Sequence, residues 1–333
     1  MPITTLKSLQ ILRFIAATSV VYFHIDFDPR FGYFGIDIFF VISGFVIALI
    51  VTNKESASHF AISRITRIVP IYWLLTTILL IGICVLPQYF ANATIAHANF
   101  QNYIKSLFFI PYFGANGMYP LLSVGWTLNY EMFFYICVWL SLLITKRYVL
   151  VAAFFLLLLS YLIFGNYFDI EVMEEFFGKE VIFEFILGFF AYFLYSVKFF
   201  KMKANILFFI IALTTYILMA YFESIGYSGN RLLLYGIPSS LLVLSVTKLE
   251  ALFHNQKNLL ISIFINLGDA SYATYLTHWF VIVFFREIFY KKFDFYNFYS
   301  ITGVFITIII VLLVGQFTYK YLDRPLNKKL SNL

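Results

Sequence analysis

Apolar residues in this chain run in long blocks instead of alternating with polar ones. Ten blocks of about 16 to 24 residues occupy 8–27, 34–52, 67–86, 121–144, 148–164, 181–199, 204–222, 232–247, 270–289 and 299–321. That length suits helices crossing a hydrocarbon core of about 30 Å, and the ten-residue alternation of a membrane β-strand is missing. The pattern predicts an all-α, polytopic integral membrane helical bundle of about ten transmembrane helices. A further apolar stretch, 104–114, is too short to span and reads as interfacial or re-entrant.

Composition agrees with the pattern. Of 333 residues, 62% are hydrophobic and 12% are charged, about half the charged share of a soluble domain. The net charge of +6 invites a nucleic-acid partner, but the basic residues gather at block ends, where topology accounts for them. With the termini inside, 16 of the 23 Lys and Arg residues face the cytoplasm, among them Lys54, Lys198, Lys201, Lys203 and Lys257. Seven, including Arg231, Lys291 and Lys292, face outward, and one outer loop is acidic (Asp169, Glu171, Glu174, Glu175, Glu180). The expectation is a multi-pass protein with both termini cytoplasmic. No repeat or Gly/Pro/Ser linker divides the chain, so residues 1–333 read as a single transmembrane domain. Cys84 and Cys137 lie in apolar blocks as small core residues, and the five scattered histidines lack metal-ligand spacing.

Against this apolar background the polar positions stand out. Arg13 and His24 are eleven residues apart in the first block. On a helix they come within roughly 20° of one face, about 16 Å apart along the axis. Ionisable groups inside a span are functional candidates; a snorkelling arginine and a satisfied core histidine are the alternative. Asp37 opens the second block, where it pairs with a histidine at the end of the first or favours a helix start. Ser43 and Gly44 are small residues that let helices approach. Arg64 and Arg67 are neighbours on one helical turn and suit bidentate contact with a phosphorylated ligand, or serve as topology and lipid signals. Pro70 reads as the opening residue of the next helix. Glu131 sits in an apolar block with Asn129, Tyr130 and Tyr135 as hydrogen-bonding company. It suits a general acid/base, an orienter of a histidine, or a structural partner of Arg13 or a neighbouring tyrosine. Glu184 reads as an interfacial acid. Ser271, Tyr275 and His278 fall on one helical face.

Taken in order, these stretches resemble the membrane-bound acyltransferase-3 family. The first block matches its arginine–ten residues–histidine signature at Arg13 and His24. Gly35 to Phe45 resembles its second-span stretch, and Arg64-Ile65-Thr66-Arg67, with Pro70, Tyr72 and Trp73, its paired-arginine loop. Trp126-Thr127-Leu128-Asn129-Tyr130-Glu131 and Ser271 to His278 are similar to its later elements, and the former looks most like the subgroup acting on exopolysaccharides and O-antigens. Met132 stands where many relatives carry a second acid.

The resemblance implies transfer of an acetyl group from acetyl-CoA, a cosubstrate and not a tightly bound cofactor. The acceptor is a hydroxyl of a surface or exported polysaccharide, delivered as a glycan or lipid-linked oligosaccharide. The setting implied is the bacterial inner membrane, with lipids as the other partner and no nucleic acid. His24 is the expected general base, Asp37 or Glu131 its orienter, and Arg13 lines the donor's path. Arg64 and Arg67 hold the CoA phosphates; Trp126, Tyr130, Ser271, Tyr275 and His278 contact substrate or support the site. A transporter or flippase using the same polar residues as a pathway is the alternative, although no inverted repeat supports it.

Overall fold

The protein was described from a computed structural model covering residues 6–53, 55–114, 117–165, 167–168, 170–197, 206–253, 258–286 and 299–330. Lys54, Asp169, Lys198, Lys201, Lys203, Lys257, Lys291 and Lys292, used above to orient the chain, lie outside the described residues. The fold is an all-helical, polytopic membrane bundle. Each of the ten apolar blocks contains a helix. Among the described residues six helices are long and apolar enough to cross a membrane: Lys7–Ile25, Gly35–Thr52, Ala57–Val85, Ser123–Ile144, Ile206–Ser224 and Ile301–Leu330. Leu259–Asp269 and Ser271–Arg286, bent by 74° at their junction, make a seventh if counted as one span. Val149–Phe164 and Leu232–Lys248 are apolar but shorter. A helix of 16 residues reaches only about 24 Å, less than the hydrocarbon core. The strict length criterion therefore yields fewer spans than the ten apolar blocks.

The helices fall into two compact units. The first comprises Met1–Glu55, Phe183–Tyr275 and Tyr299–Gln316. It holds α1 (Lys7–Ile25) and α2 (Gly35–Thr52), nearly all of α9 (Ile182–Ser196), and α10 (Ile206–Ser224), α11 (Ile237–Lys248), α12 (Glu250–Phe253) and α13 (Leu259–Asp269). It also takes the start of α14 (Ser271–Val283) and most of α15 (Ile301–Thr318). Two carboxylates from late in the chain set the starts of the two leading helices. Glu250 accepts hydrogen bonds from the backbone N–H of Lys7 (3.1 Å) and Ser8 (2.8 Å) at the start of α1. Glu223 accepts from Gly32 (2.8 Å) and Tyr33 (2.9 Å), just ahead of α2. Helix N-termini leave such donors unmatched and attract negative charge. Asp37, on α2 itself, is described with the candidate site.

Close helix approach explains two glycines. Gly32 has φ +113°, and a Cβ there would lie 2.1 Å from the Ser19 carbonyl oxygen, so the chain can reverse against α1 only with glycine. On α2, a Cβ at Gly44 would lie 2.1 Å from the Phe185 carbonyl oxygen and 3.0 Å from Gly188 Cα on α9.

The second unit comprises Ser56–Ile182, Leu276–Phe298 and Phe317–Leu333. Its main helices are α3 (Ala57–Val85), α6 (Trp126–Ile144) and α7 (Val149–Phe164), with the short helices α4 (Asn92–His97), α5 (Phe100–Leu107), α8 (Glu171–Phe177) and α16 (Arg324–Leu330). Helix α3 starts about ten residues before the apolar block, because Ser56 caps it by accepting from the His59 N–H at 3.2 Å. Pro70 consequently lies inside α3 and not at its opening, where neighbouring helices allow a lost hydrogen bond. Stretch 104–114 does not span: α5 ends at Leu107 and the chain turns back, with Phe109 at φ +57°. The Trp73 indole donates to the Leu107 carbonyl (2.7 Å), and the Leu121 N–H donates to the Ser106 hydroxyl (2.9 Å). Cys137 is buried as expected, whereas Cys84 is exposed on α3. The outward faces carry large apolar side chains such as Phe209, Leu213 and Ile217, as lipid contact requires.

Substituting Gly44 with Ala should destabilise the protein by about 1–3 kcal/mol through overpacking. Gly82→Ala, whose nearest neighbour would be the Phe90 ring at 3.7 Å, should be near neutral. Thermal unfolding in detergent reads both.

Candidate functional site

In the first unit, Arg13 and His24 share α1 and both are half-buried. Phe14, next to Arg13, stacks on Phe264 of α13 with ring centroids 5.2 Å apart. His24 occupies the last turn of α1, which ends at Asp26 in the left-handed region (φ 61°). Its Nδ1 lies 2.9 Å from the Val20 carbonyl oxygen, one turn back. A carbonyl can only accept, so Nδ1 carries the proton of the neutral ring and Nε2 carries the lone pair. In this tautomer Nε2 is the ring nitrogen that can take up a proton. The Phe23 ring meets the imidazole edge-on at 5.4 Å and carries the Arg30 guanidinium 4.2 Å above its face.

Asp37 is fully buried, and both its oxygens are engaged by Arg231. Arg231 donates through Nε to Oδ1 and through a terminal nitrogen to Oδ2, each at 2.9 Å. This bidentate geometry is the strongest arginine–carboxylate arrangement. Asp37 thus takes an arginine 194 residues away as its bidentate partner. Glu184 is also fully buried, with its Oε1 3.6 Å from Arg231 Nε, too long for a hydrogen bond. Two acids share one guanidinium, and Glu184 is enclosed by protein beside it. Burial opposes the Arg231 charge, but Asp37 and Glu184 outweigh it and hold this group, just ahead of the shorter apolar helix, above its ordinary pKa. The Tyr33 ring lies 4.8 Å from the guanidinium carbon. A π-helical turn, Leu232–Gly236, follows Arg231 directly; such turns often mark functional positions. Two residues beyond Asp37, Phe39 contacts Tyr275 edge-on at 6.2 Å, so α2 meets the start of the Ser271–Tyr275 face. Ser271, Tyr275 and His278 are all buried.

In the second unit, Arg64 and Arg67 lie seven and ten residues into α3, about 10 and 15 Å from its start, so they are not on a surface loop. Arg64 has the rings of Phe60 and Tyr135 each 5.9 Å from its guanidinium carbon. The Tyr135 hydroxyl donates to Glu131 Oε1 at 2.5 Å, within one turn of α6. Arg64 is within electrostatic reach of Tyr135, Arg67 and Glu131, and Arg67 of Asp323. Arg64, Arg67, Tyr135 and Glu131 therefore belong to one network. Trp126 meets Tyr130 edge-on at 5.8 Å, and Tyr130 stacks on Phe176 of α8 at 4.3 Å. Among the described residues, no group of three or more His, Cys, Asp or Glu side chains is arranged to hold a metal ion.

Arg231 and Asp323 were not singled out by sequence reasoning, and they sit at helix ends with no local signal of a partner. Tyr135 did carry a signal, since it stands four residues after Glu131 and faces it on a helix.

Removing one partner of the Asp37–Arg231 pair leaves a charge uncompensated. Asp37→Asn or Arg231→Met should cost about 3 kcal/mol, read as a lower Tm in detergent. The double variant Asp37→Leu/Arg231→Met should regain part of the loss; a strictly additive loss would show that the pair is not coupled.

Comparison with known proteins completes the picture. The chain matches the acyltransferase-3 model, described as an acyltransferase domain, over residues 6–319. It is 31% identical over 309 residues, 90% of each chain, to the exopolysaccharide production protein ExoZ of Rhizobium meliloti (strain 1021). It is 29% identical over 150 residues to the peptidoglycan O-acetyltransferase OatA of Listeria monocytogenes serovar 1/2a, covering 41% of this chain and 24% of that one. No solved structure matches. With a family match along nearly its whole length, this multi-pass membrane protein belongs to the acyltransferase-3 family.

Proposed function

We propose that this protein is an inner-membrane O-acetyltransferase that moves an acetyl group from acetyl-CoA to a hydroxyl of a bacterial surface or exported polysaccharide. The observation that carries the reading is the His24 geometry: Nδ1 donates to the Val20 carbonyl, so Nε2 holds the lone pair. In the reaction, Nε2 takes the proton of the acceptor hydroxyl as its oxygen attacks the thioester carbonyl. The C–S bond then breaks, the acetyl group stays on the acceptor oxygen, and His24 returns its proton to the departing thiolate. A base of this kind typically contributes about 10²–10⁴ in rate. The names of the relatives support the acceptor class: one serves exopolysaccharide production and the other acetylates peptidoglycan.

Arg64 and Arg67 hold the donor's phosphates, which suit paired guanidinium groups. Arg13, on the His24 face of α1, lines the route of the thioester arm; the span of about 16 Å along α1 is one such an arm covers. Trp126, Tyr130 and the Ser271–Tyr275–His278 face support the acceptor side. Asp37 acts through Arg231, holding α2 in place. Residues 1–333 work as one domain, with both termini cytoplasmic and the donor supplied from that side.

His24→Ala should lower glycan acetylation at least about 100-fold, followed by NMR of the purified polysaccharide with protein level checked in membranes. Undiminished acetylation would overturn the assignment of the base. Arg67→Gln should raise the KM for acetyl-CoA and leave that for the acceptor unchanged; an unchanged donor KM returns Arg67 to a topology signal.

A further inference from the structure

The network around Arg64 assigns work to a residue outside the proposed chemistry. Two arginines one turn apart repel each other in apolar surroundings and need counter-charge. Glu131 and Asp323 supply it from α6 and from the turn before α16. The two arginines are supported differently. Arg67 has an acid in electrostatic reach. Arg64 also has an aromatic floor, the Phe60 and Tyr135 rings, which meet edge-on at 6.1 Å. Phe60 is fully buried and Tyr135 nearly so, so the floor is rigid. The Arg64 Nε donates to the Ser63 hydroxyl at 3.3 Å, which restrains the guanidinium from its own helix.

The Tyr135 ring is itself pinned. Its hydroxyl donates to Glu131 Oε1 at 2.5 Å. A carboxylate four residues earlier on the same helix thus fixes the ring that fixes the arginine. A guanidinium over an aromatic face is attracted to the ring, more strongly when desolvated, and a pre-set pose lowers the cost of ordering on binding.

We propose that Tyr135 is a positioning residue of the donor site: clamped by Glu131, its ring holds the Arg64 guanidinium in the pose that receives a donor phosphate. This rests on the reading that Arg64 and Arg67 bind a phosphorylated acyl donor. Under it, Glu131 serves the donor arginines through Tyr135.

The test is steady-state kinetics of the detergent-purified full chain with acetyl-CoA and the isolated polysaccharide. Tyr135→Phe keeps the ring and removes the hydroxyl. It should raise the KM for acetyl-CoA about tenfold, equivalent to about 1.4 kcal/mol. kcat should stay within about twofold and the acceptor KM should not move. Inhibition by free CoA should weaken by the same factor. Glu131→Gln should give the same split, and the Tyr135→Phe/Glu131→Gln double variant should be no worse than the weaker single. A purely structural role would lower Tm and kcat without this split. A wild-type donor KM in Tyr135→Phe, or multiplicative effects in the double variant, would overturn the inference. If Tyr135→Phe fails to fold, Glu131→Gln carries the test alone. Failure of the wild-type protein to consume acetyl-CoA would sink the enzyme reading and the inference together. Normal wild-type turnover with an unaffected Tyr135→Phe would sink the inference only.

Discussion

Asp37 and Arg231 meet through two hydrogen bonds of 2.9 Å although 194 residues separate them. In a bundle of apolar helices, an ionised side chain without a counter-charge is prohibitive, so it needs a partner within the packing. That requirement organises the first unit. Arg231 draws the start of the π-turned segment, Leu232–Gly236, against the first turn of α2, and Glu184 of α9 joins the same guanidinium. Glu223 and Glu250 complete the arrangement by meeting the backbone donors ahead of α2 and at the start of α1. The helices that carry Arg13, His24 and Asp37 are thus held by carboxylates and a guanidinium from the later half of the chain.

The second unit follows the same rule with the signs reversed. Here the cations lie on one helix, α3, and the acids come to it. Glu131 reaches Arg64 through Tyr135, and Asp323 stands near Arg67. Aromatic rings do much of the spacing, because a guanidinium tolerates a ring face where it would not tolerate an aliphatic wall.

The setting of His24 is more local. The bond from Nδ1 to the Val20 carbonyl lies within one helical turn, so the tautomer follows from the position of the histidine in the last turn of α1. The glycines that let helices touch, Gly32 against Ser19 and Gly44 against Phe185 and Gly188, keep α1, α2 and α9 close enough for long-range charge pairs to form.

Much of this was legible from residue order. Block length required membrane helices, because a helix rises a fixed distance per residue and the hydrocarbon core has a fixed thickness. Helical periodicity put Arg13 and His24 on one face, and Ser271, Tyr275 and His278 on another. It also put Tyr135 within reach of Glu131. The motifs around those residues pointed to the family that the whole-chain match then showed. Other features needed the tertiary structure. Local periodicity says nothing about which helices become neighbours. The union of Asp37 with Arg231, the burial of Glu184 beside them, and the carboxylates at the two helix starts are therefore decided by packing. The early start of α3 was missed for a related reason: hydropathy marks where a helix enters lipid, while its first residue is set by a polar cap, here Ser56. Sequence alone determined which residues could carry charge at depth; the tertiary structure decided which opposite charge each would meet, because pairing across distant segments depends on proximity in space.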